Sequence, residues 1–395
     1  MSHVKLKDLS LPAVVAGFVA VLVGFSSSVA IVFQAAAALG ATPAQITSWI
    51  WALGLGMGLT SAGLSLWYRQ PVLTAWSTPG AALLATLGAT AGAGAGFSMN
   101  EAVGAFIVCA LLIILAGVTG LFARLMNRIP QALASALLAG VLVRFAIDGF
   151  LSVRTQPLLV LLMLAAYLVG RRAWPRYAVP GVLLVGLAVA GVQGQWHFET
   201  ITWQWAAPVF TAPTFSLAAL LGLALPLFVV TMASQNLPGV AAQRAAGYDT
   251  PVSPVITVTG VATLLLAPFG AYALNLAAIT AAICMGREAH EDPQKRYMAA
   301  VMAGLFYVAM GLMGGAVVGL IAALPKELVL ALAGFALLGT IGAGLATAVK
   351  DDTSREAAVI TFVVTASGLT LWGVGAAFWG VVAGAVAMGV ARWRL

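Results

Sequence analysis

The chain has 395 residues, of which 62% are hydrophobic and only 8% are charged, and its net charge is +7. Soluble domains carry about 25% charged residues, so this composition excludes a soluble globular protein and indicates an integral membrane protein. Lys and Arg occur in small groups between apolar runs, which indicates membrane topology rather than nucleic-acid binding. His, Asp and Glu do not cluster in the apolar runs, so we expect neither an enzyme nor a bound metal or other cofactor.

Breaks at charges, Gly/Pro clusters and polar runs divide the chain into about fourteen predicted spans, since a spanning helix needs about 20 apolar residues. In chain order these are 10–38, 43–67, 71–90, 101–124, 130–150, 156–170, 176–193, 214–238, 251–267, 269–286, 296–323, 326–349, 356–371 and 373–391. Threading the chain through them places nearly all Lys and Arg on the side of the two termini. Basic loops stay in the cytoplasm, so we predict a multi-pass protein with both termini cytoplasmic.

The ends of spans 1 and 8 resemble each other. The segments "GFSSSVAIVFQAAAALGATP" and "TMASQNLPGVAAQRAAGYDTP" can be aligned. This alignment places Ser27 on Ser234 and Gly40 on Gly247. The chain therefore divides into two halves of seven spans, 1–195 and 214–395, joined by an external connection at 196–213. Because seven is odd, the second half must enter the membrane in the opposite orientation. The sequence thus predicts an inverted repeat, which is typical of secondary transporters.

Spans 3 and 10 are short and interrupted. In "PVLTAWSTPGAALL", Pro79 disfavours helix at Thr78 and suits the first turn of a helix. Ser77 or Thr78 is therefore the predicted cap of a half-helix that begins near Pro79. In "FGAYALNLAAIT", we predict an extended stretch to Leu274, then Asn275 as the cap of a second half-helix. The two extended stretches can pair edge to edge, which satisfies backbone groups that lipid cannot.

Two inverted half-helices would point their N-termini at one place near the bilayer midplane. Each N-terminus carries about half a positive charge and free amides, so the pair predicts a site for a small anion. The predicted substrate contacts are Ser27, Trp76, Ser77, Thr78, Gly80, Gln235, Asn236, Tyr272 and Asn275. Alternatives remain open: Ser77–Gly80 as a plain proline kink, Asn275 as a link between helices, and Ser234–Asn236 as a helix cap.

Other polar and aromatic residues have simpler interpretations. Asp148 is the one acid that we place within a span, which makes it the candidate for a proton path. Arg144 lies four residues earlier on the same helix face, and a local ion pair is the slightly favoured alternative. Cys109 and Cys284 are predicted to be buried packing residues. A final group, predicted to lie at the membrane interface, comprises Trp196, Trp203 and Trp205.

The chain resembles the benzoate/proton symporter (BenE) family of bacterial inner-membrane proteins over nearly its full length. The motifs that carry the resemblance are "FSSSVAIVFQAA", "STPGAALL", "SQNLPG" and "ALNLAAITAAI", in spans 1, 3, 8 and 10. That family is similar to the nucleobase/ascorbate and sulfate-type anion transporters. The resemblance implies an all-α fold of two inverted seven-span repeats, with a core domain from spans 1–4 and 8–11. It also implies a gate domain from spans 5–7 and 12–14, and elevator-like alternating access in the bacterial inner membrane.

One departure from the related transporters bears on the substrate. Nucleobase transporters have Glu or Gln before the Asn of span 10 and an acid in span 8, whereas this chain has Leu274 and Gln235. The missing carboxylates suit a substrate with its own negative charge. Together with this, the resemblance implies proton-coupled symport of benzoate or a similar aromatic carboxylate. The expected partners are this anion, protons and membrane lipid, without nucleic acid, and homo-oligomerisation stays open. The alternatives are a transporter of the same fold for a nucleobase-like compound or inorganic anion, and a passive anion channel.

Overall fold

The computed structural model describes residues 8–89, 97–127, 129–174, 178–195, 205–314, 324–369, 371 and 376–392. Within these ranges it leaves a few helical side chains undescribed, including that of Ser27. The first half contains α1 Leu11–Ala38, α2 Pro43–Tyr68, β1 Thr74–Trp76, α3 Thr78–Ala89, α4 Met99–Val118, α5 Leu121–Met126, α6 Gln131–Leu151, α7 Pro157–Ala173 and α8 Ala178–Val192. The second half begins with one long helix, α9 Leu217–Ala245. It continues with α10 Val252–Leu266, β2 Leu274–Leu276, α11 Ile279–Met285, α12 Tyr297–Leu312, α13 Lys326–Ala348, α14 Arg355–Ser367 and α15 Ala376–Arg392.

The fold is mostly helical, and in the described part of the chain six helices are long and apolar enough to cross a membrane. Several begin with the caps that their sequences offer. Thr42 and Gln45 form a reciprocal capping box at the start of α2, and Ser98 and Glu101 form another at the start of α4. Each box satisfies amides that a helix start leaves without partners, so these helices begin at defined residues.

Three predicted span ends differ by more than a few residues from the helix ends: that of span 11, predicted at 323, where α12 ends at Leu312, and those of spans 4 and 8. In span 4 the helix ends at Val118 and a separate short helix follows, whereas span 8 continues beyond Pro238 to the end of α9. A proline normally interrupts a helix because it has no amide hydrogen to donate and because its ring clashes with the preceding turn. Here a widened turn at Met232–Asn236 comes just before it, and the Leu237 amide bonds to the carbonyl of Met232, five residues earlier. The widened turn changes the hydrogen-bond register, so the helix passes the proline.

Chain segments that the threading places on one side of the membrane contact each other. Gln243, near the end of α9, donates to the carbonyl oxygen of Pro71, which lies between α2 and β1, at 2.7 Å. On the other side, Asn100 donates to the carbonyl oxygen of Ala212, in the connection between the halves, at 2.9 Å. Both contacts agree with the predicted alternation, which itself stays a prediction. Which side faces the cytoplasm remains a prediction from the basic residues.

The helices pack in pairs, and two of these pairs correspond to each other when every span is replaced by the span seven positions away. The α2 helix (span 2) packs against α12 (span 11), and α4 (span 4) packs against α10 (span 9). Glycines bring α2 and α12 together, because a Cβ at Gly54 would lie 2.6 Å from the Cα of Gly311. Replacing each span by the one seven positions away converts the first pair into the second, as expected for an inverted repeat, which itself stays a prediction.

Cys109 and Cys284 are buried and free, as predicted. Of the three tryptophans expected at the interface, Trp205 is exposed, and Trp196 and Trp203 lie outside the described residues.

Candidate substrate site between the two broken spans

The extended stretches of spans 3 and 10 pair as a two-stranded antiparallel ladder, which confirms the predicted edge-to-edge pairing. Thr74 lies opposite Leu276, Ala75 opposite Asn275, and Trp76 opposite Leu274. Each stretch thus supplies hydrogen-bonding partners for the other where lipid offers none.

Hydroxyl groups from the preceding spans satisfy further backbone and side-chain groups of this ladder. The Thr74 amide donates to Ser61 Oγ at 3.0 Å, and the Thr74 hydroxyl lies 2.6 Å from that of Thr60. In the second half, the Leu274 amide donates to Thr263 Oγ1 at 3.0 Å. Both extended stretches are therefore held by hydroxyl-bearing residues of the span before them, α2 and α10 respectively.

Ser77 caps the half-helix of span 3, as predicted. Its Oγ accepts the Gly80 amide at 3.1 Å and the Thr231 hydroxyl at 3.0 Å, and α3 begins at Thr78. A Cβ at Gly80 would lie 2.8 Å from Ser77 Oγ and 2.7 Å from Leu227, so this position needs glycine. Pro79 has no amide hydrogen. Of the first three helical residues, only Thr78 therefore keeps an amide that a ligand can use.

A cavity of about 70 Å³ lies where the two half-helices begin, which exceeds the roughly 10–15 Å³ that one water molecule requires. Three predicted contacts line it: Trp76, Thr78 and Gln235. Apolar residues form much of the remaining wall. None of the described residues that line this cavity carries a charge. The cavity wall therefore combines apolar side chains with uncharged hydrogen-bonding groups.

Trp76 is fixed in the cavity wall by contacts to α1. Its Nε1 donates to Ser28 Oγ at 2.9 Å, and its ring meets that of Phe25 edge to face at a centroid distance of 5.3 Å. The Ser28 hydroxyl donates in turn to the carbonyl oxygen of Gly24. With 3% of its surface exposed, the indole forms a rigid apolar surface. The side chain of the predicted contact Ser27 lies outside the described residues, whereas its neighbour Ser28 lines the cavity.

Three further polar residues of the cavity wall were not among the predicted contacts: Ser28, Thr280 and Tyr307. The Tyr307 hydroxyl interacts with Thr280, and both side chains are buried. Ser28 belongs to the motif "FSSSVAIVFQAA" of span 1 and follows the predicted contact Ser27. Tyr307 sits in the apolar run "LFYVAM", where nothing in the local sequence indicates which way its ring points.

Asn236 and Asn275 are fully buried, and neither belongs to the described cavity wall. Asn236 Oδ1 accepts the amide of Leu276 at 2.9 Å, which joins α9 to β2. Asn275 Nδ2 donates to the carbonyl oxygen of Ala273 at 2.9 Å. The prediction that Asn275 caps the second half-helix was wrong, because the chain stays extended through Leu276 and α11 begins only at Ile279, without a side-chain cap.

Tyr272 lies in an aromatic cluster rather than in the cavity wall. Its ring centroid is 5.5 Å from that of Trp49 and 5.8 Å from that of Phe106. Its hydroxyl is buried and has no hydrogen-bond partner among the described residues. The structure therefore places the ring behind the extended stretch of span 10, away from the described cavity.

Asp148 also lies away from this cavity, on α6, and its side chain is exposed. The expected ion pair with Arg144 is absent among the described residues. The Arg144 guanidinium instead occupies the space beside Gly368, where a Cβ would lie 1.7 Å from Arg144 Nη1. The left-handed backbone of Gly368, with φ +70°, opens this space, which explains why the arginine turns away from Asp148.

The family model of the benzoate membrane transport protein, BenE, matches residues 7–390. The chain belongs to the BenE family. "Inner membrane protein YdcO" of Escherichia coli (strain K12) is 51% identical to it over 382 residues, which cover 97% of this chain and 96% of that protein. "Benzoate membrane transport protein" of Acinetobacter baylyi (strain ATCC 33305 / BD413 / ADP1) is 43% identical over 381 residues, which cover 96% of this chain and 95% of that protein.

Solved structures show the fold that this BenE-family protein shares. The murine Slc26a9 anion transporter in the inward-facing state matches with a TM-score of 0.50 and 14% identity, over 98% of this chain and 69% of that one. The chain is thus a membrane transporter of the BenE family and not an enzyme. Its apolar helices and its inner-membrane relative support a multi-pass inner-membrane protein.

Proposed function

We propose that this BenE-family protein is a secondary active transporter that brings benzoate, or a similar aromatic carboxylate, into the cytoplasm together with a proton. The observation that carries the proposal is the uncharged cavity at which the two broken spans meet. The name of the Acinetobacter relative supports benzoate as the substrate. The absence of acids from the described cavity wall supports an anion, because a fixed carboxylate would repel it.

In this proposal the carboxylate of the substrate binds to the polar groups that line the cavity. The amide and hydroxyl of Thr78, the side-chain amide of Gln235 and the hydroxyl groups of Thr280 and Tyr307 are the donors. Hydrogen bonds from neutral donors to a carboxylate are charge-assisted and stronger than neutral pairs. They hold the anion without placing Lys or Arg in the membrane, where a charged side chain is costly.

The aromatic ring of the substrate would lie against the apolar side chains that line the cavity. Trp76 presents its indole there, and Val23, Met57 and Ile279 complete the surface. An aromatic pair in an offset or edge-to-face arrangement adds about 0.5–1.5 kcal/mol beyond the burial of its area. This wall favours an aromatic carboxylate over an inorganic anion, which would leave the apolar surface uncovered.

Residues behind the cavity position its walls. We propose that Ser77 and Gly80 fix the start of α3, and that Asn236 fixes β2 against α9. Asn275 lies opposite Ala75, which lines the cavity, and its Oδ1 is buried without a partner among the described residues. We keep Asn275 as a proposed contact, with its amide oxygen as the acceptor for a protonated group.

We propose that transport moves a core domain, spans 1–4 and 8–11, against a gate domain, spans 5–7 and 12–14. In support, every described residue of the cavity wall belongs to spans 1, 2, 3, 8, 10 or 11, so the site would travel with the core. Asp148, in span 5, stays the candidate for the proton path. The basic loops support cytoplasmic positions for both termini.

A direct binding measurement tests the site and the substrate class together. Purified protein in detergent is titrated by calorimetry with benzoate, uracil and sulfate. We expect benzoate to bind, and Gln235→Ala to weaken binding about tenfold, the loss of one charge-assisted hydrogen bond. Ser367→Ala, an exposed position at the end of α14, is the matched control. Binding of uracil or sulfate instead of benzoate, or unchanged affinity in Gln235→Ala, would contradict the proposal.

A further inference from the structure

A second and larger cavity lies at the other end of the span 10 half-helix. It has a volume of about 370 Å³, and its wall comes from Met285–Glu288 after α11, from Arg171 on α7 and from small residues of α13 such as Gly339 and Ala343. The α11 helix has seven residues, so at 1.5 Å per residue about 10 Å separates its two ends. The substrate cavity and this second cavity therefore lie at opposite ends of one short helix.

An ion pair crosses the second cavity. Arg171 Nη1 lies 2.6 Å from Glu288 Oε1, and the side chains are 38% and 9% exposed respectively. The other two ion pairs among the described residues join positions three apart in the chain, whereas this one joins predicted gate to predicted core. Gly339 covers the pair closely, since a Cβ there would lie 3.2 Å from Glu288 Oε1. The carboxylate of Glu288 thus lies against α13, at a position where the neighbouring residue has no side chain.

The charges around this cavity favour an anion. Arg171, Arg287 and Arg296 line it against the single acid Glu288. Arg296 donates to the carbonyl oxygen of Met285 at 2.9 Å, and so offsets the negative end of α11. Arg171 is the side chain among these that already binds a carboxylate, through a guanidinium whose planar fork fits such a group.

We propose that this cavity is a second carboxylate site, in which a substrate carboxylate replaces that of Glu288 on Arg171 as substrate leaves towards the basic loops. Glu288 is a tethered competitor: it occupies Arg171 when substrate is absent, and its return helps to release the substrate. The exchange breaks no covalent bond and conserves charge, because one carboxylate takes the place of another. Benzoate as the ligand rests on the proposed function, whereas the existence of a carboxylate site does not.

A cysteine reporter in the cavity wall tests this inference. Ala343→Cys places a thiol at an exposed position of the wall, and the native cysteines are buried, so the unsubstituted protein is the labelling blank. The rates of modification by an anionic and a cationic methanethiosulfonate reagent are compared in detergent. We expect the anionic reagent to be favoured, and Arg171→Gln to reduce that preference. Arg172→Gln, the next residue and not part of the wall, is the matched control.

Protection by ligand then identifies the site. Benzoate should slow labelling of Ala343→Cys, whereas neutral benzamide should not. Glu288→Gln removes the competitor, so half-protection should need about tenfold less benzoate, and Arg171→Gln should abolish protection. Chloride and phosphate at equal ionic strength show whether any anion suffices, which would overturn a site specific for carboxylates.

The outcomes separate this inference from the proposed function. Normal benzoate uptake with no protection in Glu288→Gln would overturn the second site alone. Protection by benzoate in a protein that fails to transport it would overturn the proposed function and leave the second site standing. A loss of the anionic preference in Arg172→Gln as large as in Arg171→Gln would also overturn the inference, because it would reflect general surface charge.

Discussion

Asn236 Oδ1 accepts the backbone amide of Leu276 at 2.9 Å, which ties the long helix of span 8 to the extended stretch of span 10. Both residues are buried, at 0% and 3% exposure. Asn236 is the last residue of the widened turn in α9. The irregular turn of one span therefore supplies a hydrogen bond that the irregular backbone of another span requires.

Removing this acceptor should destabilise the protein. In Asn236→Ala the buried Leu276 amide loses its partner, which costs about 1–3 kcal/mol, so we expect a lower Tm for the purified protein in detergent. Gln235→Ala changes the neighbouring residue, which lines the cavity, and should lower benzoate affinity at an unchanged Tm. Equal effects of the two variants on Tm and on benzoate affinity would contradict these separate roles of Asn236 and Gln235.

A methyl group at Gly24 should fill part of the substrate cavity. Its Cβ would lie 2.9 Å from Thr280 Cγ2 and 3.0 Å from the hydroxyl oxygen of Tyr307, so both cavity-lining side chains must move. We expect Gly24→Ala to reduce benzoate affinity about tenfold or more, since overpacking costs about 1–3 kcal/mol. Gly63→Ala is the control, because no atom lies within 4 Å of the added group. Calorimetric titration of both variants decides; equal affinities would place Gly24 outside the site.

The hydroxyl groups of two buried tyrosines should differ in importance. Tyr307→Phe removes a donor from the cavity wall and its interaction with Thr280, so benzoate affinity should fall about 3- to 10-fold, as expected for about 0.5–1.5 kcal/mol. Tyr272→Phe removes a hydroxyl that has no partner among the described residues, so it should leave affinity unchanged and stability equal or higher. A loss of affinity in Tyr272→Phe would return that ring to the substrate site.

Local chemistry explains what the sequence could predict. Two residues define the start of α3. Pro79 has no amide hydrogen that would need a partner, and the Ser77 hydroxyl caps the helix by accepting the Gly80 amide. The need to satisfy backbone groups in lipid explains why the extended stretches pair, with Ala75 opposite Asn275. Each of these features follows from neighbours in the chain or from a requirement that applies to any membrane backbone.

Features that depend on packing could not be predicted in this way. The rotation of α12 about its axis decides that Tyr307 faces the cavity, and contacts with α2, far along the chain, set that rotation. Asn is a residue type that often caps helices, but at Asn275 the pairing with β1 keeps the backbone extended past this residue. In the sequence, Pro238 predicts a helix end. In the structure, the widened turn before it allows the helix to continue.

Proton-driven uptake is the most direct test of the central claim. Protein in liposomes with an acidic exterior is given labelled benzoate, and the initial rate in protein-free liposomes is subtracted, because neutral benzoic acid crosses bilayers unaided. For proton-coupled symport we expect a protein-dependent rate that rises with the imposed gradient, falls to the level without a gradient when a protonophore is added, and is reduced in Gln235→Ala. A protein-dependent rate that is the same with and without the gradient would contradict proton-coupled transport.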